Sequence, residues 1–223
     1  MRKRARRTPE LPDLGTHLAE GPAEIGSGDR LEGLVLGATT QSPMRLHDLA
    51  LVECRVQGMD LSGRRLGGFM ARDVVFEGCD LAGTVLEPGG RLTRVRFDGC
   101  RLSGLVLVGV DLTDVVIEGG KADLANFRQA AATRLWGREV SLREADFTEA
   151  QLKDCAFLDC DLAGAEFRGA TLSGVSLHGS AIEEIRSPSV LARGARIAPD
   201  QQFAYGQALL AEFGPEVSDR PDT

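Results

Sequence analysis

A large apolar residue recurs at every fifth position along most of the chain. These positions run from Leu31 to Leu86 and, after one extra residue, from Leu92 to Ile182, and 26 of the 31 are Leu, Phe, Ile or Val. A period of five fits neither an amphipathic helix nor a simple alternating strand. A smaller apolar residue usually lies two places before each of them, and a glycine often lies two places after. The pattern predicts a chain that turns a corner in every repeat, with two side chains pointing inward and three outward.

The smaller inward position holds all five cysteines of the chain. They are Cys54, Cys79, Cys100, Cys155 and Cys160. A buried thiol packs like a small apolar side chain, whereas a metal site or a disulfide framework would show paired spacings such as CxxC. The cysteines are therefore predicted to be core residues, with no metal and no cofactor.

Four segments of the repeat carry a motif that is found in other proteins. CDLAG (79–83), ADFTE (145–149), CDLAG (160–164) and ATLSG (170–174) resemble the A(D/N)LXX consensus of the pentapeptide-repeat family. The resemblance covers residues 31–186 and implies an all-β fold, a right-handed quadrilateral β-helix with four repeats per coil. The extra residue falls in a stretch rich in Pro and Gly, which predicts a register slip at 87–91.

The two ends of the chain lack the repeat. Residues 1–30 are rich in Pro and Gly and are expected to be mostly disordered, with a possible cap on the first coil. Residues 187–217 are expected to cap the last coil with a short C-terminal α-helix between Pro199 and Gly214, and residues 218–223 to be a disordered tail. The residues assigned to the cap and to a dimer contact are Phe203, Tyr205, Leu209, Leu210 and Phe213.

Charged residues dominate the outward positions. If four repeats form a coil, residues twenty apart stack, and one such column, from Asp73 through Arg94, Asp114 and Arg134 to Asp154, alternates in sign. Other columns place acid on acid, which is unfavourable on neighbouring strands and invites a functional explanation. These candidate acidic residues are Glu77, Asp98 and Glu118, Asp60 and Asp80, Glu139 and Asp159, and Asp146 and Glu166.

Composition narrows the classes of partner. The formal net charge of −7 argues against direct binding of nucleic acid. No apolar run approaches the roughly 18 residues of a membrane span, and the basic N-terminal stretch is not followed by the apolar core of a secretory signal, so a cytoplasmic location is expected. No catalytic motif lies in its required strand and helix context, and a packed interior leaves no pocket, so an enzyme is not expected.

Two functions remain open at this point. Resemblance to pentapeptide-repeat proteins of the Qnr and MfpA type implies a homodimer formed through the C-terminal segment. It also implies a rod that imitates DNA and binds DNA gyrase or topoisomerase IV through acidic columns. The alternative is a general protein-interaction scaffold that uses an outward apolar patch of Val116, Trp136 and Leu158, unrelated to topoisomerases.

Overall fold

The computed structural model describes residues 8–214, which form short parallel strands followed by one α-helix. The strands are β1 (Ala19–Glu20), β2 (Arg30–Glu32), β3 (Leu34–Leu36), β4 (Arg45–His47), β5 (Ala50–Gln57), β6 (Arg65–Gly67), β7 (Met70–Glu77), β8 (Val85–Leu86), β9 (Arg91–Asp98), β10 (Asp111–Glu118), β11 (Ala131–Arg138), β12 (Gln151–Lys153), β13 (Ala156–Leu158), β14 (Thr171–Ser173), β15 (Val175–Ser176) and β16 (Ala195–Arg196). Two 3-10 turns, Pro188–Arg193 and Pro199–Gln201, precede the helix α1 (Gln202–Phe213).

Parallel pairing between residues one coil apart builds a four-sided solenoid of about eight turns. The long strands stack in the order β5, β7, β9, β10 and β11, and each of them bends to cover two adjacent sides. Single bridges, such as Lys121 to Ser141 and Asn126 to Asp146, connect the coils on the other two sides. The spacing is 20 residues between β10 and β11 and between β5 and β7, so equivalent repeats stack directly. The expected β-helix with four repeats per coil is confirmed.

One coil contains an extra residue. Met70 pairs with Arg91, a spacing of 21 residues, whereas the spacing is 20 on either side. The extra residue lies in a tight turn in which the Gly90 N–H donates to the Glu87 carbonyl at 3.1 Å and Gly89 has a φ of 88°. Because the turn protrudes at a corner, the inward positions of the coils before and after it remain in line.

The inward residues form one continuous core along the solenoid axis. Phe147 is fully buried and stacks on Phe127 and Phe167 in the coils on either side, with ring centroids 4.8 and 4.9 Å apart. The cysteines are free and buried, and burial raises the pKa of the Cys155 thiol to about 12. Such a thiol stays protonated and acts as a packing group, as the five-residue period indicates.

The N-terminal segment differs from the expected disordered tail. Residues 1–7 lie outside the described residues, but 8–18 form an extended arm along one corner of the solenoid, and β1 pairs with β3. The Glu10 N–H donates to Asp114 at 3.1 Å, and the Asp13 N–H donates to Asp73 at 3.2 Å. The arm is ordered without an apolar core of its own, because carboxylates of the solenoid accept hydrogen bonds from its main-chain N–H groups.

The C-terminal cap also differs from expectation in the side of α1 that it uses. Ala208 is buried and Tyr205 half-buried against the last coil, whereas Phe203, Leu210 and Phe213 are 78%, 42% and 71% exposed. The assignment of those three residues to the capping contact was therefore wrong. The open end of the last coil presents main-chain carbonyl groups. The cap therefore needs a hydrogen-bond donor and small side chains that let the helix come close, and large apolar side chains are not needed there.

A buried amide meets that requirement. Gln201 Nε2 donates to the carbonyls of Leu177 at 2.8 Å and Ser180 at 2.6 Å, and the Tyr205 hydroxyl donates to the Pro188 carbonyl at 3.2 Å. Leu209 is half-buried on the flank of the helix. Helix α1 ends at Gly214, whose φ of 63° closes the last turn.

The Phe147→Ala substitution should lower the free energy of unfolding by about 3–5 kcal/mol, because it opens a cavity in the middle of the aromatic stack. Urea unfolding measures the effect. Leu124→Ala is the matched control, since Leu124 is 60% exposed, and it should change stability by less than about 0.5 kcal/mol. Equal effects from the two substitutions would contradict the buried stack.

Candidate protein-binding surfaces

The corner at which the long strands bend carries a ladder of alternating charges. This corner ladder consists of Asp73, Arg94, Asp114, Arg134 and Asp154, and all five residues have positive φ values between 51° and 58°. Glu53 extends it toward the N-terminal coils. A non-glycine residue in this conformation is disfavoured by roughly 1 kcal/mol or more, so side-chain contacts must offset the cost.

Two bidentate ion pairs supply those contacts. Arg94 donates to both oxygens of Asp73 at 2.6 Å, and Arg134 donates to both oxygens of Asp114, with Nη2 to Oδ2 at 2.7 Å. Both aspartates are 4% exposed. Burial opposes their ionisation, but the hydrogen bonds from the arginine and from the arm N–H outweigh it and hold the pKa of each carboxyl below its ordinary value.

Arginines neutralise most of the acidic columns that the sequence suggests. Arg96 bridges Asp98 and Glu118 at 3.0 Å each, and Arg55 pairs with Glu77 at 3.1 Å. Three further ion pairs join Asp80 to Arg101 at 3.0 Å, Asp60 to Arg64 at 3.7 Å and Asp146 to Arg128 at 3.4 Å. These residues therefore present mixed charge and not a uniformly acidic wall.

A different acidic feature surrounds the solenoid near its C-terminal end. Five consecutive corners hold acidic residues, and we call them the acidic collar: Glu139, Glu144, Glu149, Asp154 and Asp159. None forms an ion pair with another residue between 8 and 214, and all but the half-buried Asp154 are exposed. Of the predicted acidic residues, Glu139 and Asp159 belong to this collar, while Glu166 accepts a hydrogen bond from Ser187 at 2.7 Å.

The collar occupies positions that other coils give to glycine. In an earlier coil the corners are Gly99, Gly104 and Gly109, with φ values of 58°, 69° and 64°. Glu139, Glu144 and Glu149 adopt the same conformation with φ between 50° and 59°. The sequence does carry a signal for this feature, because every fifth residue from 139 to 159 is acidic, but stacked columns of outer residues do not reveal it.

The predicted apolar contact patch is not open to solvent. Trp136 is 9% exposed and Val116 5%, although both lie on an outer side of the solenoid, and they form a small cluster with Ala156 and the half-buried Leu158. The Arg138 guanidinium stacks over the Trp136 ring at 4.8 Å. The patch as predicted, an exposed surface ready to bind a partner, was therefore wrong.

Residues 8–214 contain no group of three His, Cys, Asp or Glu side chains that would hold a metal ion, and no helix in this range is long and apolar enough to cross a bilayer. The cleft between the arm and the corner ladder is lined by Glu10, Asp13, Glu53, Asp73 and Arg94. Among these carboxylates, Asp73 is held by Arg94 and by the Asp13 N–H.

Parallel coils of 20 residues, an axial apolar core and charged outer sides define the class of four-sided β-solenoids. Residues 90–167 match the family model described as a pentapeptide repeat region. Together with the five-residue period and the four-sided coil, this match shows a pentapeptide-repeat region within the solenoid.

The chain is similar to several solved structures. HetL, a pentapeptide-repeat protein involved in heterocyst differentiation regulation from the cyanobacterium Nostoc sp. strain PCC 7120, is 20% identical over 70% of this chain and 90% of its own, with a TM-score of 0.39. A trypsin-treated variant of QnrB1, a plasmid-mediated fluoroquinolone resistance protein, is 18% identical over 91% of this chain and all of its own, with a TM-score of 0.41. Comparison with curated proteins gave no significant match.

The depressed pKa values of Asp73 and Asp114 predict a pH dependence of stability. A carboxyl whose pKa is lower in the folded state adds stability above its unfolded pKa of about 3.9, and that contribution disappears as the pH falls through the folded value. The free energy of unfolding, measured in urea from neutral to acidic pH, should therefore fall more steeply in the wild type than in the Asp73→Asn, Asp114→Asn double variant. Asp111→Asn, on an exposed side chain, should retain the wild-type profile. Parallel profiles for the wild type and the double variant would contradict the assignment.

Proposed function

We propose that this chain is a non-enzymatic DNA mimic that binds the DNA-binding surface of DNA gyrase or topoisomerase IV as a dimer. The acidic collar is the observation that carries the proposal. Acting on those enzymes would require a cytoplasmic location. Glu77, Asp98 and Glu118 are paired with arginines. The contact with the enzyme is therefore expected at the collar and not at these columns.

The collar is energetically costly for the solenoid itself. Its five residues adopt the conformation that glycine adopts at the corners of other coils, at roughly 1 kcal/mol or more each. Their like charges also repel, and none of the five forms an ion pair within residues 8–214, although Arg134 is the neighbour of Asp154 in the corner ladder and Gln129 Nε2 donates to Glu149 at 2.8 Å. Charges that destabilise a fold without internal pairing are typical of a surface that pairs with an oppositely charged partner. A DNA-binding groove, which is lined with arginine and lysine to neutralise phosphates, is such a partner.

The exposed side of α1 provides the dimer contact. Phe203, Leu210 and Phe213 lie on one side of the helix at spacings of seven and three residues, and all three are exposed. An apolar stripe of this kind at the end of a rod favours a two-fold contact in which each stripe covers the other. Homodimerisation through the C-terminal segment thus uses the residues that the cap leaves free.

Dimerisation would place the two collars close to the symmetry axis. The collar lies two to three coils before the cap, which is roughly 10–15 Å at one strand spacing per coil. Two collars on either side of the two-fold axis would form one acidic zone at the centre of a doubled rod. A symmetric enzyme that grips DNA across its own two-fold axis matches this arrangement in charge and symmetry.

A DNA supercoiling assay tests the proposal. Wild-type protein should inhibit gyrase or topoisomerase IV, and Glu139→Lys, Glu144→Lys, Glu149→Lys should raise the inhibitory concentration by about tenfold or more, equivalent to ~1.4 kcal/mol. The matched control is Glu77→Lys, Asp98→Lys, Glu118→Lys, which changes the net charge by the same amount on residues that are already ion-paired. This control should retain most of the inhibition.

Two results would overturn the proposal. Wild-type protein that leaves both enzymes unaffected, with and without a fluoroquinolone, would remove the topoisomerase as a partner. Equal loss of inhibition in both triple variants would show that net charge matters and that the collar does not.

The dimer is tested separately. Phe203→Asp, Phe213→Asp should convert a dimer into a monomer of half the mass, because it places four like charges in the two-fold contact. Size-exclusion chromatography with light scattering reads the mass directly. Leu124→Asp, at an exposed corner away from α1, should leave the dimer intact. A wild-type protein that is monomeric at tens of micromolar would contradict this contact, independently of the inhibition assay.

A further inference from the structure

The N-terminal arm contacts the solenoid through its main chain in a regular way. Glu10 N–H bonds Oδ1 of Asp114 and Asp13 N–H bonds Oδ1 of Asp73, and each Oδ1 also accepts from the Nε of its arginine. The two contacts are equivalent, so the corner ladder offers the same acceptor twice. Side chains of the arm take no part in either bond.

The spacing of the acceptors matches an extended peptide. Asp73 and Asp114 are two coils apart, or about 9.6 Å, and three residues of extended chain cover about 10 Å. Glu10 and Asp13 are three residues apart. The ladder therefore recognises main-chain N–H groups at positions i and i+3 of an extended segment that runs toward the N-terminal coils.

The side of the solenoid next to the ladder completes a groove. Pro12 and Leu14 lie beside Val75 and Arg96 on this side, which we call the arm wall, while Leu11 points away and is 59% exposed. Further along the arm wall come Val116, in the coil that Glu10 contacts, and Trp136, in the next coil. The arm, followed from Asp13 back to Thr8, heads toward Trp136.

Trp136 is the largest residue of the arm wall. It is 9% exposed, with Arg138 stacked over its ring and Val116, Ala156 and Leu158 packed around it. Its Nε1 and the Nε of Arg96, both buried on the arm wall, lack a hydrogen-bond partner among residues 8–214. Buried N–H donors of this kind require acceptors, and the carbonyl groups of an extended peptide are such acceptors.

We propose that the arm wall and the corner ladder form a binding site for an extended peptide, and that its resident occupant is the chain's own N-terminal arm, which shields Trp136. The ligand class is an extended segment with free N–H groups at i and i+3 and apolar side chains toward the wall. A partner segment that also supplies carbonyls would pair the indole and guanidinium donors, which the arm leaves without acceptors. A partner that supplies such a segment gains access to Trp136 by displacing the arm. This site is separate from the acidic collar, and its test involves no topoisomerase.

Proline substitutions in the full-length chain test the main-chain contacts. Glu10→Pro, Asp13→Pro removes the two donor N–H groups, whereas Leu11→Pro removes an N–H that makes no hydrogen bond in the structure. Trp136 is the only tryptophan, so its fluorescence reports on the groove. The double variant should show a red-shifted emission and about threefold greater quenching by acrylamide. Leu11→Pro should behave like the wild type, and circular dichroism should show an intact solenoid in both.

The emptied groove then allows a binding measurement. A synthetic peptide of residues 1–18, added to the double variant, should restore the shielding of Trp136 with a saturable dose dependence. The same peptide with Pro at positions 10 and 13 should not.

Each other outcome overturns the proposal. Unchanged quenching in the double variant would show that the arm does not shield Trp136, and an equal effect of Leu11→Pro would remove the role of the two N–H groups. Failure of the natural peptide to saturate up to millimolar concentration would exclude a peptide-binding site. Quenching of the wild type that increases on dilution would assign the shielding arm to a second copy of the chain.

Discussion

The structure depends on one constraint: every fifth residue must turn the chain through a corner in a left-handed backbone conformation, so that equivalent repeats stack one strand spacing apart. Once that holds, each position in a repeat generates a column that runs the length of the rod. Inward columns become a continuous apolar core, as in the stack of Phe127, Phe147 and Phe167. Outward columns become surfaces whose chemistry is repeated with each coil, which is why single substitutions every twenty residues can build an extended site.

The period alone was sufficient to predict the core, because inward packing tolerates only apolar residues of limited size at two positions of each repeat. Counting in twenties also identified the corner ladder, and Arg94 and Arg134 do pair with the aspartates of the neighbouring coils. The N-terminal arm could not be predicted by counting residues at the period of the coil. Its contacts are main-chain N–H groups bound to Asp73 and Asp114, and a main-chain donor leaves no trace in residue type.

The orientation of α1 was predicted incorrectly for a related reason. The prediction placed the largest apolar residues of the helix against the last coil, which assumes that the end of the coil is an apolar surface. The end of this solenoid instead offers unpaired carbonyls, which Gln201 satisfies, and a flat surface that suits Ala208 and Tyr205. Phe203 and Phe213 are consequently left outside. Likewise, outward position alone could not predict that Trp136 is covered, since its burial depends on how Val116, Ala156 and Arg138 pack around its ring.

The arm has a mechanical consequence for the solenoid. In a repeat protein each coil normally contacts only its immediate neighbours, and such a rod unravels from its ends one coil at a time. By bonding Asp114 and Asp73 and then approaching Glu53, the arm ties together coils that do not touch each other. The arm therefore couples these coils to one another, and the N-terminal half of the rod is expected to unfold as one cooperative unit.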